Sequence, residues 1–482
     1  MRKIQMLEKN RYPFAGSSGR FISSRHCSWA AALLFLWVWT AAVVSGQVPS
    51  GTFLSDGDGG RVVSLAEAQA LALEGNATLR AQRLTLEAAR RSSQARWNSF
   101  LPGINLGGSV SNSHTIVDGS SGSGAGTPAA GGNANWSWGL SGGVSLSLTA
   151  GIPVQMQLAA LGYDIAQTNY QLQLQTVMAN VASSFYNLVA EAKNLSVLED
   201  NLELTRSQYE LARRNYNRGL ASELDMLRSQ YAYVSAQPEL EKAQFKYQSN
   251  LAAFQILVGS PTLVVPMEEF QLVQLQLPDT QQLVQDYLEG RHDVVQKRQL
   301  LRQAKLTKTA QSLAARAPSV GLSESLRFSP PGQRDDGPSV TGSFSVSVSI
   351  PVDGFIPGST KSLSLKQAAD AVTVAQLNLD TTLAQAQQDI ATKVAEVGQR
   401  WHAIEIARLN ESIAERSYQL SQEGYRAGLV SQTDLETSRQ QMVSAQLAAS
   451  NSQAQYLVGV ENLADALGLE LEQLYQLFGV QE

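Results

Sequence analysis

Apolar side chains recur along this chain at two periods. Leu174, Val181, Leu188, Leu195, Leu202, Tyr209 and Tyr216 form an unbroken seven-residue ladder. Leu383, Ile390, Val397, Ile404, Tyr418 and Tyr425 form a second, interrupted only at Glu411. A sustained period of seven lays one apolar edge of a helix against a neighbour along its whole length, as in coiled coils. The spacing predicts helices over about Leu158–Asn217 and Ser362–Arg426, each roughly 90 Å or more at 1.5 Å per residue and far longer than ordinary core helices. Shorter helices are predicted over Asn76–Ser99, Glu223–Val258, His292–Ala315 and Gln432–Leu467. In each half of the chain two of these, laid end to end, match one long helix. Pro238 lies inside Glu223–Val258, where it removes a hydrogen bond and predicts a local bend.

The second period is two. Ile104, Leu106, Gly108 and Val110 alternate with small polar residues, and so do Trp136, Trp138, Leu140, Val144, Leu146 and Leu148. Val320 and Leu322, then Phe344, Val346, Val348 and Ile350, repeat the pattern. Such alternation fits strands with one face in lipid and one in a watery lumen; hairpins on a soluble core have the same composition. Four membrane strands cannot close a barrel, because open edges leave backbone groups unsatisfied in hydrocarbon. Membrane barrels begin at about eight strands, so these strands would be contributed to a shared barrel. The Gly/Ser/Ala-rich stretch Asp118–Asn135 is the expected hairpin loop, and it lacks the Gly-Lys-Ser/Thr ending of a phosphate-binding loop. Trp136 and Trp138 beside it fit an interfacial aromatic belt or plain strand packing.

The two halves are copies. Tyr209–Ser260 aligns with Tyr418–Leu469 at a constant offset of 209, with 15 identities in 52 positions. Among them are Tyr216/Tyr425, Gly219/Gly428, Leu220/Leu429, Asp225/Asp434, Ser229/Ser438 and Tyr247/Tyr456. Upstream, Leu101–Leu106 pairs with Ala317–Leu322, and Val144, Leu146 and Leu148 pair with Phe344, Val346 and Val348. The offset falls by 16 between these landmarks and then rises by 9, giving a longer loop in copy one and an insertion around Pro351–Ser359 in copy two. A duplication of this size makes one body from two units.

At 482 residues the chain has a net charge of -5 and no basic tract, so nucleic acid is not an expected partner. A basic stretch (Arg2 to Arg25) precedes an apolar run, Trp29–Val44, that is short of the ~20 residues a spanning helix needs. Small residues follow at Val44-Ser45-Gly46, a pattern that predicts a secretory signal peptide over 1–46 cleaved ahead of Gln47. An uncleaved anchor is the other reading. The single Cys27 precludes an internal disulfide and is not placed for lipid attachment.

With duplicated strands and long helices in this order, the sequence resembles the TolC-like outer-membrane efflux proteins from Ser64 to about Leu469. The most specific elements are two copies of Tyr-x-x-Gly-Leu-x-Ser-x-x-Asp, at Tyr216–Asp225 and Tyr425–Asp434. Leu-Pro-x-Ile-x-Leu at Leu101 and the helix opening Ser64-Leu65-Ala66-Glu67-Ala68 stand beside them. The resemblance implies a mainly α fold with β. It comprises a trimeric outer-membrane β-barrel with four strands per chain, a long periplasmic α-helical barrel and a small mixed equatorial region. The implied division is a signal (1–46), an N-terminal extension (47–63), repeat 1 (64–260), an equatorial linker (261–279), repeat 2 (280–469) and a tail (470–482). The implied strand hairpins span about 103–149 and 319–351. Implied partners are two further copies (a homotrimer), a periplasmic membrane fusion adaptor, an inner-membrane pump or ABC transporter, and outer-membrane lipid.

The turn motif has a physical reading of its own: Gly219 and Gly428 can end a helix at positive φ, and Ser222 and Ser431 can cap the next. The resemblance adds that these turns form a gated periplasmic tip, built from Tyr216, Gly219, Asp225, Tyr425, Gly428 and Asp434. By position Tyr425 would contact Asp225. Val430 stands where the family prototype has an arginine constraint. Asp434 matches an acidic ring at the aperture, or else is a solvated helix-start carboxylate; the second ring falls on Thr437, with Glu436 adjacent. His114, His292 and His402 are isolated, so no catalytic, metal or cofactor constellation is expected. The implied function is an outer-membrane exit duct; a non-channel periplasmic coiled-coil structural or adaptor protein is the alternative.

Overall fold

The computed structural model describes residues 61–113, 135–267, 270, 272–329 and 337–479. The expected signal peptide, most of the N-terminal extension and residues 118–134 of the expected hairpin loop lie outside the described residues. Repeat 1 runs β1 (Arg61–Val63), α1 (Leu65–Gly75), α2 (Ala77–Gln94), β2 (Gly103–Ser113), β3 (Asn135–Thr149), α3 (Ile152–Asn217) and α4 (Glu223–Val258). After β4 (Val264–Pro266) and α5 (Thr280–Tyr287), repeat 2 follows as α6 (His292–Arg316), β5 (Ser319–Ser329), β6 (Ser339–Ser349), α7 (Thr360–Arg426) and α8 (Gln432–Leu467), then α9 (Leu471–Phe478).

The long helices have 66 and 67 residues, about 100 Å each. α3 begins six residues earlier than the ladder predicted, directly out of β3. Pro153 sits in its first turn, where an amide has no helical partner to lose. α2 is shorter than predicted: Asn76 is its cap, accepting from the Thr78 and Leu79 amides at 2.9 and 3.0 Å. Residues 95–100 tighten into a 3₁₀ turn before Leu101-Pro102, since a residue preceding proline disfavours the α region. α4 runs unbroken through Pro238, so no boundary appears there, although the Val234 carbonyl has no amide at position 238 to accept from.

The shorter helices exchange places along the long ones. At the sheet end the packing order is α2-α3-α6-α7, and at the far end it is α4-α3-α8-α7. The main core lies between, where Val181, Phe185, Leu188, Ile390, Tyr456 and Leu463 are all buried. There β1 pairs parallel with β4, α9 packs onto α8, and the Tyr456 hydroxyl donates to the Val273 carbonyl at 2.6 Å.

The four long strands form one antiparallel sheet in the order β2-β3-β5-β6, leaving β2 and β6 as unpaired edges. In register, Leu146, Leu322 and Val346 share one face, as do Val110 and Trp138. The other face is polar and, apart from Arg327 and Asn105, small, with Ser323–Ser345 and Ser325–Ser343 hydroxyl pairs at 2.7 and 2.8 Å. Ile104, Leu106, Val144, Phe344 and Val348 are all exposed on the apolar face, which a soluble core would have covered. A charge breaks that face: the row Ile104–Val144–Glu324–Phe344 places a carboxylate at the middle of β5. Four of the extra residues of copy one are strand, β3 having 15 residues to the 11 of β6. The copy-two insertion falls between β6 and α7, a ten-residue connection where β3 and α3 are joined by two.

Candidate gate at the helical tips

The α3–α4 and α7–α8 hairpins end in matched turns. Gly219 and Gly428 have φ of 74° and 75°, a conformation that L side chains adopt only at a cost. Each donates to the carbonyl of the repeated tyrosine: Gly219 to Tyr216 at 2.9 Å and Gly428 to Tyr425 at 3.0 Å. The leucine after each glycine reaches one residue further back, Leu220 to Asn215 and Leu429 to Gly424, both 2.8 Å. These are the two bonds of a Schellman cap. Gly424 lies under Val430, so tightly that a Cβ there would collide with the valine side chain. Val430 therefore packs within its own turn, where an arginine had been the family expectation.

The serines then open the return helices. Ser222 Oγ accepts from the Asp225 amide at 3.1 Å and donates to Asp225 Oδ2 at 2.7 Å. Ser431 does the same with Asp434, at 3.2 and 2.7 Å. Both repeated aspartates thus complete a reciprocal cap and sit at the positive end of a helix dipole. Local capping accounts for an Asp at both positions, in keeping with the helix-start reading of Asp434.

The environments of the two copies differ. Asp225 is half-buried and Asp434 exposed. Tyr425 is half-buried, and burial, then the nearby Asp225 and Glu436 carboxylates, push its phenol up. Tyr425 and Asp225 are neighbours in this sense, but among the described residues no hydrogen bond joins them. Tyr216 is 39 % exposed. Thr437 is exposed, and Glu436 is half-buried on a different face of α8 from Asp434, turned to Arg439 and Gln432.

Just inside the turns lies a polar network that the motif reading missed. Arg439 on α8 is only 4 % exposed. Its guanidinium donates to Asn201 Oδ1 on α3 and, at 2.9 and 3.0 Å, to Glu436 Oε2. Gln432 donates to Ser229 Oγ on α4 at 3.1 Å, and Gln208 on α3 donates to the Tyr418 hydroxyl on α7 at 3.0 Å. These bonds tie all four distal helices together. The sequence signal was the Ser229/Ser438 identity: both serines are buried, each bonding a carbonyl three or four residues back.

Among the described residues no helix is long and apolar enough to cross a membrane, and no cluster suits a metal ion. Comparison with curated proteins gave no match. Three solved channels share the fold. The outer membrane channel CmeC of Campylobacter jejuni matches with a TM-score of 0.67 at 19 % identity, covering 86 % of this chain and 88 % of that one. The outer membrane protein VceC of Vibrio cholerae gives 0.64 at 19 %, over 84 % and 96 %. The Neisseria gonorrhoeae MtrE outer membrane channel, solved in its open state, gives 0.64 at 20 %, over 84 % and 89 %. The sequence itself matches the profile of the outer membrane efflux proteins over residues 69–260 and 283–469, most of both repeats. The chain belongs to the outer membrane efflux protein family: it is a transport channel of the outer membrane with a long periplasmic helical extension, not an enzyme.

Proposed function

We propose that this chain forms, as a homotrimer, the exit duct of a tripartite efflux pump or type I secretion system. It would receive substrate from an inner-membrane pump or ABC transporter through a periplasmic membrane fusion adaptor. The observation that carries this reading is the sheet. Its four strands have an exposed apolar face, a polar face and two unpaired edges, an arrangement tolerated in hydrocarbon only if neighbouring copies complete the barrel. A periplasmic coiled-coil adaptor has no use for such a sheet.

The tips are the gate in this reading. Tyr425 and Asp225 lie at the closing contact, Asp434 lines the aperture, and Gly219 and Gly428 set the turns. Tyr216 is the matching position at the other tip and the more exposed of the two tyrosines. Three Asp434 carboxylates near an axis attract cations. Purified protein in mild detergent should have the mass of three chains and should conduct ions across a planar bilayer. A monomer that conducts would overturn the shared barrel, and a trimer that never conducts would overturn the duct.

A further inference from the structure

Where helix meets sheet, each repeat carries exposed aromatic and apolar side chains beside an arginine, built by unrelated local sequences. In repeat 1 the 3₁₀ turn between α2 and β2 presents Trp97, 60 % exposed, and Phe100, with ring centroids 5.9 Å apart. Arg96 precedes them, exposed and, among the described residues, without a hydrogen bond or ion pair. In repeat 2 the same level is occupied by the copy-two insertion. It presents Val352, Phe355 (62 % exposed) and Ile356. Arg316, the last residue of α6, stacks over the Phe355 ring at 5.6 Å and donates through Nε to the Gly354 carbonyl at 3.4 Å.

The insertion is docked rather than loose. Any side chain on Gly354 would strike the Ala315 carbonyl, and Ser359 Oγ donates to the Asp353 carbonyl while capping α7 through the Ser362 amide at 3.1 Å. Register places both clusters at one end of the sheet, since Thr149, Ser319 and Ser349 lie in one row there and all four adjoining helices start or stop beside it. That end is the periplasmic rim of the membrane barrel. Basic side chains also end the two helices that run into this rim: Arg91 lies in the last turn of α2, paired with Glu87 at 3.2 Å, and Arg316 in the last turn of α6.

Aromatic side chains settle at headgroup level, and a guanidinium fixed by a ring and a carbonyl keeps its remaining donors for a phosphate. We propose that the two clusters are interfacial feet that bind anionic phospholipid headgroups of the leaflet facing the periplasm, with Arg316 over Phe355 and Arg96 beside Trp97 as the phosphate ligands. This rests on the outer-membrane barrel reading and adds to it a lipid preference, located in the insertion that distinguishes copy two.

The test is native mass spectrometry of the intact trimer released from nanodiscs of equal parts phosphatidylethanolamine and phosphatidylglycerol. Wild type should retain phosphatidylglycerol preferentially. Arg96→Gln and Arg316→Gln should each lower that preference, on the order of fivefold per arginine. Arg316→Lys, which keeps the charge but not the planar stack, should fall between. Arg96 lies outside the insertion and has no partner among the described residues, so its variant tests the idea even if a change at Arg316 disturbs the insertion. Equal retention of both lipids by wild type, or an unchanged preference in Arg96→Gln with Arg316→Gln, would overturn the proposal. So would displacement of the retained phosphatidylglycerol by inorganic phosphate, which marks a free-anion site instead. Bilayer conductance of the same samples separates the two ideas, because conductance without lipid preference removes the feet and leaves the duct.

Discussion

Gln432 Nε2 on α8 donates to Ser229 Oγ on α4 across 3.1 Å, so the first turn of one return helix is bonded to the other. With Arg439 reaching Asn201 on α3, this contact closes the distal bundle from inside. The network, and not the surface motif alone, holds the tips together.

Arg439→Met should therefore loosen the tip more than any change at the turns. Truncating one partner of a buried charged pair leaves the other uncompensated, here Glu436, at a cost of about 3 kcal/mol. Hydrogen exchange should accelerate in the first turns of α4 and α8, and resting single-channel conductance should rise. Unchanged exchange at both helix starts would mean that the turns are self-sufficient.

Tyr425→Phe combined with Asp225→Ala should raise resting conductance while the trimer survives. No hydrogen bond joins the two side chains, so Tyr425→Phe alone should do little. The loss of the Asp225 carboxylate acts through the α4 cap, where such contacts are worth about 1 kcal/mol. A double variant no more conductive than Tyr425→Phe would assign closure wholly to the inner network.

Asp434→Asn should leave resting conductance near wild type and weaken both cation selectivity and block by multivalent cations. Asp434 is exposed, and Ser431 still caps the helix through the backbone amide. Reversal potentials in a salt gradient give the measurement, and unaltered selectivity would place the carboxylate outside the aperture.

Glu461 predicts a pH dependence of stability. It is 9 % exposed, its Oε2 has no hydrogen-bond partner among the described residues, and burial, then Asp465 one turn on, push its carboxyl up to about 7. Tyr475 of α9 faces it. An acid whose folded pKa lies above its unfolded value of 4.5 contributes stability that is intact below about pH 4.5 and is lost as pH rises through 7. The span corresponds to roughly 3 kcal/mol at most. Glu461→Gln should raise the melting temperature at pH 8 and change it little at pH 5; equal effects at both would show that Glu461 is not the titrating group.

The helices were legible because a seven-residue ladder leaves few alternatives: α4 and α8 fall on the predicted residues, and α7 within two. The strands were legible from alternation, and the insertion from a change of repeat offset. Three things were not. A 3₁₀ end to α2 depends on how Leu101-Pro102 enters the sheet, which periodicity does not encode. Arg439 and Gln432 read as ordinary polar positions on a helix surface, and only the crossing of α8 past α3 and α4 makes them interior. The aspartates were legible as repeated but not as caps, because the serine three residues earlier serves each of them twice.

Pro238 gives the duplication a mechanical consequence. α8 has Leu447 at the matching position and a complete backbone ladder, while α4 lacks one rung midway along its 36 residues. Load applied to the tips therefore bends one hairpin of each protomer before the other. Descended from one unit, the two arms would then act as a stiffer strut and a more compliant spring, and the proposed trimer would yield at three places rather than six.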